Sequence, residues 1–292
     1  MIKELLDHPY VSKDVSIEYY DEPYRHFILR NIFNAQIYDS MCDLFPKYIE
    51  RCHNPHGLVG STGLFYEALI YSMKREDCVG GWDFFASAMW QKLVASIFNL
   101  QFNEYTAYSL HYHAGSPDRP SKDGWPHRDL SVCSMSGSVE PGQMAIINGG
   151  EYADDSYDKQ PNSIKALRSV AMLYYLNNKP GQGGGTGVYT NYDASSIVKT
   201  ISPENNSLFA FEIGPDSYHG YVGANYNRSA MVQWFHSSPS YIVGSNIDKF
   251  QNMWRNEGRI FEYWKKENLW SLDMDPDYKK YFYDIPLTAV FE

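Results

Sequence analysis

Residues 126–130 read Pro-His-Arg-Asp-Leu. In an extended segment, side chains at i and i+2 point to one face, so His127 and Asp129 project together. One imidazole and one carboxylate supply two of the three ligands in a 2-His-1-carboxylate triad. That triad holds iron(II) and leaves positions open for oxygen and a chelating co-substrate. A third candidate ligand lies far along the chain. His219 sits in Tyr218-His219-Gly220-Tyr221, just past the apolar stretch 207–213. Nine residues on, Arg228 opens the run RSAMVQWF. Alternation puts Arg228, Ala230, Val232 and Trp234 on one face. A buried arginine needs an anion, and its planar fork grips a carboxylate through two parallel hydrogen bonds. H-x-D alone recurs by chance in many chains. The informative feature is the order: H-x-D, a distant His, then an Arg at short spacing.

Three rival signals compete. His111-x-His113 forms an H-x-H pair, which suggests a cupin-type metal site, but no suitably spaced Glu follows it. The two histidines face away from Tyr112 on one strand, which fits a surface role or the core of a second sheet. Cys52-His53-x-x-His56 with Cys42 could hold zinc, but the spacing fits no common zinc motif. GQGGGTG at 181–187 lacks the Lys-Ser/Thr ending of a phosphate loop and opens no helix.

These residues need elements to position them. The stretch 24–33 reads as a strand rich in β-branched and aromatic residues. Asn34 can then cap a helix over 35–49, with Ile37, Met41, Leu44 and Phe45 on one face. Residues 51–80 read as irregular. Residues 82–100 read as one helix, with Phe85, Met89, Leu93, Ile97 and Leu100 at helical spacing. Beyond residue 100 the period becomes two. Strands are expected at 104–113, 127–135, 143–148, 168–177, 186–190, 197–201, 207–213 and 228–236. Gly, Pro, Asn and Asp punctuate the gaps, which argues for a sandwich or jelly roll. The acidic, polar stretch 149–163 reads as a surface loop or lid. After residue 240 helical spacing returns at Ile247, Phe250, Met253 and Trp254, then at Ile260, Phe261 and Trp264.

The chain has 292 residues and is 43% hydrophobic, enough for a large core in one domain. Its net charge is −10 and it has no Lys/Arg run, so nucleic acid is an unsuited partner. Its 25 tyrosines favour strands. The four cysteines show no CxxC spacing or disulfide framework. Nothing approaches a membrane span, and the opening MIKELLDHPYVSKD lacks a signal peptide's apolar region. A cytoplasmic location is expected.

Over roughly 105–236 the sequence resembles the prolyl-4-hydroxylase-like branch of the Fe(II)/2-oxoglutarate-dependent dioxygenases. Tyr112-His113-Ala114-Gly115 leading into His127-Arg128-Asp129 looks like the family's Tyr-x-x-Gly before H-x-D. Leu173-Tyr174-Tyr175-Leu176-Asn177 looks like its YYLN strand, and Gly183-Gly184-Gly185-Thr186-Gly187-Val188-Tyr189 like its GG-containing strand. His219-Gly220, Arg228 and Val232-Gln233-Trp234-Phe235 look like its distal His, its 2-oxoglutarate-binding Arg and its closing strand.

The resemblance implies an α+β, mainly β fold, a double-stranded β-helix (jelly roll). N-terminal strand and helices over 1–103 would back a catalytic core at 104–236, with a helical extension over 240–292. It implies that His127, Asp129 and His219 ligate iron. It implies that Arg228 and Tyr175 hold the distal carboxylate of 2-oxoglutarate, and that Tyr112 lies beside its chelating end. The implied reaction hydroxylates an unactivated C–H bond and releases succinate and carbon dioxide. Its partners would be 2-oxoglutarate, O2 and a prolyl or other protein residue or a small amino-acid-like molecule, and it admits ascorbate as a further cofactor. Departures are visible. The linker from Tyr112 to His127 and the segment 130–172 are both long, and Val232 stands where some members place a hydroxyl. Asp129 is present, which disfavours halogenation. The alternative class is a non-catalytic or cupin-type metal-binding jelly-roll module.

Overall fold

The computed structural model describes residues 5–50, 68–118, 121, 123–135, 144–146, 164–181, 183–257, 263–264 and 270–271. The acidic stretch 149–163, the residues Cys52, His53 and His56, and the helical positions Ile260 and Phe261 lie outside them.

Fourteen strands are present among the described residues. They are β1 (Ser16–Tyr20), β2 (His26–Arg30), β3 (Ala68–Ser72), β4 (Tyr105–His113), β5 (Val132–Met135), β6 (Ala145–Ile146) and β7 (Ile164–Tyr175). The others are β8 (Gly185–Tyr189), β9 (Ile197–Ile201), β10 (Ser207–Glu212), β11 (His219–Val222), β12 (Arg228–Ser237), β13 (Tyr263–Trp264) and β14 (Trp270–Ser271). A large sheet runs β1-β2-β10-β7-β12-β4-β3, with β5 on β7 and β6 on β4; a small sheet runs β11-β8-β9. The sheets are mostly antiparallel and do not close into one barrel, as a jelly roll allows.

Antiparallel pairing sets which side chains share a face, because directly opposed residues point the same way. Across β4, β12 and β7 the rows are His111–Ala230–Tyr175, Ser109–Val232–Leu173 and Ala107–Trp234–Ala171. Arg228 opposes His113 at the end of the same face. The other face packs on helices. There Gln233 accepts from Trp90 Nε1 and donates to the Phe85 carbonyl. Tyr174, also on that side, packs edge-on to Phe33. So one sheet face builds the core and the opposite face is free to build a site.

Helix α1 (Ala35–Ile49) forms as its sequence predicts. Asn34 Oδ1 accepts from the Ile37 N–H at 3.1 Å, satisfying a donor the helix cannot. Met41 and Phe45 are buried, with Ile37 and Leu44 packed beside them. Asn34→Ala is expected to cost about 1 kcal/mol, read as a lower urea midpoint at unchanged m.

The stretch 82–100 is not one helix. It divides into α2 (Trp82–Phe85) and α3 (Ala88–Phe98). Ser87 interrupts it: its hydroxyl donates to the Phe84 carbonyl at 2.7 Å and accepts from the Trp90 N–H at 3.2 Å. A local side-chain bond competes with the helical ladder there. Residues 51–80 are not wholly irregular either, since β3 extends the large sheet beyond β4. Downstream, α4 (Pro239–Ser245) and α5 (Ile247–Glu257) appear, but Trp264 pairs within the short ribbon β13–β14 and is not helical. No described helix is long and apolar enough to cross a membrane.

Candidate metal centre

His127 and His219 meet across the sheet edges. Their backbones form an isolated antiparallel bridge, with reciprocal N–H to carbonyl bonds of 2.8 and 2.9 Å. The imidazole centroids lie 4.4 Å apart. His127 Nδ1 is 2.9 Å from the Trp125 carbonyl and His219 Nδ1 is 3.1 Å from the Ser217 carbonyl. A carbonyl can only accept, so each Nδ1 carries the hydrogen and each Nε2 presents a lone pair. That is the tautomer a metal-bound imidazole requires, and the carbonyl partners fix the ring orientations.

Asp129 completes the cluster. His127 Nε2 is 3.6 Å from its Oδ1 and His219 Nε2 is 3.7 Å from its Oδ2. One ligand atom from each of the three residues lies within 4.8 Å of the others. Burial by itself would raise the Asp129 carboxyl. The neighbouring His219 ring and the charge of Arg168 outweigh that and hold it well below the usual carboxylate range. The segment is not a regular strand, however. His127 makes only a bridge, and Asp129 adopts a left-handed backbone with φ 56°. The two side chains converge because the chain bends at Asp129, not because they alternate along a strand.

Between them Arg128 turns the other way and is fully buried. It donates to the hydroxyls of Tyr218 and Tyr192 at 3.1 and 2.7 Å and to the Pro215 carbonyl. This tyrosine cage ties the bend to the approach to β11 and the turn after β8.

Arg228 is 3% exposed. Its guanidinium carbon lies 4.8 Å from the Tyr221 ring centroid and 5.3 Å from that of Tyr175. Its Nη2 donates to Thr186 Oγ1 at 3.3 Å, and Thr186 is also 2.8 Å from the Tyr175 hydroxyl. Arg228 Nε has no hydrogen-bond partner, and among the described residues no carboxylate pairs with Arg228. A buried cation left this way fits an incoming anion. The residues present therefore fit both groups: three donors suited to iron(II), and an arginine suited to a carboxylate.

Of the residues expected from the sequence, the structure brings His127, Asp129 and His219 into one cluster and sets Arg228 beside Tyr175. Tyr112 is not brought there. It opposes Ser229 and Leu69, on the face away from Arg228, and packs against the helix-side core. His111 and His113, for which the sequence left a surface role or a second-sheet core open, share the face of Arg228. His113 stacks on Tyr221 at 4.1 Å, and His111 shares a hydrogen bond of 2.8 Å with Ser109. Burial and the Arg228 charge push His111 down to about 3, so it is neutral at physiological pH. The pair gathers no third ligand: among the described residues, the triad is the one group of three arranged to hold a metal. Thr186, Tyr221, Trp234 and Arg168 were missed as site residues. The Gly-rich run at 183–187 was the signal for Thr186. Gly185 has φ 136°, and a side chain there would strike the Ile201 carbonyl, so this glycine lets β8 and β9 close up.

Further along β12, His236 is fully buried. Burial, then the Arg168 charge, pushes it down to about 3. Its folded pKa lies below its unfolded one, so the unfolded chain binds the extra proton between pH 6.5 and 3. Its contribution is complete above pH 6.5 and is lost as pH falls, at up to about 1.4 kcal/mol per pH unit. His236→Gln should flatten the acid limb of a stability–pH curve from urea unfolding.

Residues 142–236 match the family model described as the 2OG-Fe(II) oxygenase superfamily, a span that includes His219 and Arg228 but not His127 or Asp129. No curated protein matches the chain. Among solved structures it is similar to a prolyl-4-hydroxylase of Pseudomonas putida, with 15% identity over 80% of this chain and 98% of that one and a TM-score of 0.44. It is also similar to a prolyl 4-hydroxylase of Phytophthora capsici, with 14% identity over 79% of this chain and 68% of that one and a TM-score of 0.43. A third is a Trichoplax adhaerens prolyl hydroxylase in complex with a hypoxia inducible factor peptide fragment, with 14% identity over 72% of this chain and 82% of that one and a TM-score of 0.39.

Proposed function

We propose that this chain, a 2-oxoglutarate-dependent non-haem iron(II) dioxygenase, hydroxylates an unactivated C–H bond of a prolyl or other protein residue or of a small amino-acid-like molecule. His127, Asp129 and His219 are the iron ligands. Arg228 binds the distal carboxylate of 2-oxoglutarate. Tyr175 stands beside it, its hydroxyl shared with Thr186. The observation that carries this reading is the convergence of the triad, with both Nε2 atoms turned toward the carboxylate.

Iron with 2-oxoglutarate supplies the oxygen chemistry that side chains cannot, at the cost of one 2-oxoglutarate converted to succinate and carbon dioxide. The chain itself does the positioning. Backbone carbonyls lock both imidazoles, and the Arg128 cage locks the bend that carries Asp129. Arg228 would anchor the co-substrate at one fixed depth, and the aromatic walls Tyr175 and Tyr221 exclude water around it. No acid–base dyad is needed. Ascorbate fits as an auxiliary reductant. A single domain over 1–292 and a cytoplasmic location belong to the same reading, the latter in keeping with cysteines that show no disulfide framework.

Anaerobic titration of the Fe(II)-loaded protein with 2-oxoglutarate tests this directly. A weak visible charge-transfer band should appear in wild type and vanish in His219→Ala. Absence of the band, with low metal content, would leave the binding-module reading in its place. Iron-dependent succinate release can then screen substrates.

A further inference from the structure

Asp129 is gripped by two side chains that play no part in the reaction as described. Trp234 Nε1–H donates to Asp129 Oδ2 at 2.7 Å, and Arg168 Nη1 donates to Oδ1 at 3.4 Å. The Arg168 guanidinium carbon lies 4.2 Å from the Trp234 ring centroid, so each donor also braces the other. Both project from the large sheet. Trp234 on β12 is flanked by Ala107 on β4 and Ala171 on β7, and these two small neighbours leave room for an indole lying along the sheet. The backbone N–H of Arg168 donates to the Ser131 carbonyl at 3.1 Å, which ties β7 to the chain just past Asp129.

This grip has a physical reason. Asp129 is a non-glycine residue in the left-handed region, in a stretch without regular strand pairing. Its backbone alone does not dictate where the carboxylate points. The two imidazoles are oriented by carbonyls of their own neighbours; the carboxylate has no such local partner and takes its orientation from across the sheet.

The geometry points to Trp234 as a positioning residue for the metal: its indole N–H, braced by Arg168, holds the Asp129 carboxylate where it completes the triad with His127 and His219. The inference rests on the iron site proposed above. Partners of this kind affect metal affinity by roughly 10–100-fold.

Cobalt(II) is a suitable probe, because its d–d absorption reports ligand geometry without turnover. The full-length apoprotein would be titrated with Co(II) as wild type, as Trp234→Phe, and with benzothienylalanine at 234, an isostere that replaces the indole N–H by sulfur. Both variants should bind cobalt roughly 10–100-fold more weakly, with altered d–d bands. The isostere should keep the apoprotein's wild-type Tm, which separates positioning from folding. Wild-type cobalt affinity and spectrum in the isostere would overturn the inference even if Trp234→Phe misfolds. If wild type itself takes up no cobalt, the iron site fails, and the clamp fails with it.

Discussion

Asp129→Ala and His219→Ala should each purify as folded proteins that hold no iron, with succinate release at background. The backbone pairing at the site should outlast the loss of either side chain. The His127–His219 bridge is a backbone pairing and survives either change. Metal affinity should depend on them. Losing an outer partner of a ligand already costs roughly 10–100-fold, and losing the ligand itself leaves two donors where the metal needs three. Asp129→Ala has a second cost, because Trp234 Nε1 and Arg168 lose their acceptor in a buried setting. It should therefore lower Tm more than His219→Ala does. Metal analysis after iron loading, beside coupled 2-oxoglutarate decarboxylation, decides the matter. A variant that retains iron and turnover would remove its residue from the triad.

Arg228→Met should move two readouts in opposite directions. The affinity for 2-oxoglutarate should fall by about 2–5 kcal/mol, roughly 30-fold to several thousand-fold, because a buried carboxylate loses its partner. The ligand-free protein should become more stable, because a buried guanidinium with an unsatisfied Nε is replaced by an apolar chain of similar reach. A residue serving only the core would lose stability and leave co-substrate binding alone. Thermal shift with and without 2-oxoglutarate separates the cases. Ligand at about 100 times its Kd should stabilise the iron-loaded wild type by about 2.7 kcal/mol, and the variant by no more than about 0.9 kcal/mol at the same concentration. An unchanged 2-oxoglutarate KM would end the assignment.

The β region was readable because its side-chain period is two and its gaps are marked by turn residues. All eight stretches expected between 104 and 236 contain strands, and 197–201 matches β9 end to end. Helix α1 was readable from Asn34 and one apolar stripe. The parts that were not readable depend on distant partners. Strand β1 has no fully buried residue and exists because it pairs with β2. Strand β3 is a five-residue run made a strand by β4. Ser87 breaks a helix whose apolar spacing runs straight through it.

The site followed the same division. The cluster of His127, Asp129 and His219 could be anticipated because the order of these residues along the chain carries information. The face of β4 could not. Strand alternation offers two registers, and a slip of one residue exchanges Tyr112 for His111 and His113. Only the pairing of β4 with β12 decides between them. Likewise, nothing local to Trp234 or Arg168 announces a partner in Asp129, which is 105 positions from the former and 39 from the latter.

The desolvated state of Arg228 bears on which keto acids the protein can tell apart. Its charge is stripped of water when the chain folds, before any co-substrate arrives, so little further desolvation of the protein opposes binding. That arrangement acts as a ruler. On the proposed reading a five-carbon diacid would span from the metal to the arginine, whereas pyruvate has no second carboxylate to offer and would leave the guanidinium unanswered. Sites built around a buried polar group reject analogues lacking its partner by roughly 10⁴-fold or more. Pyruvate should accordingly fail to displace 2-oxoglutarate in a competition titration even at large excess. Discrimination of this kind would be a property of the apoprotein's interior, inherited from folding and independent of the substrate to be oxidised.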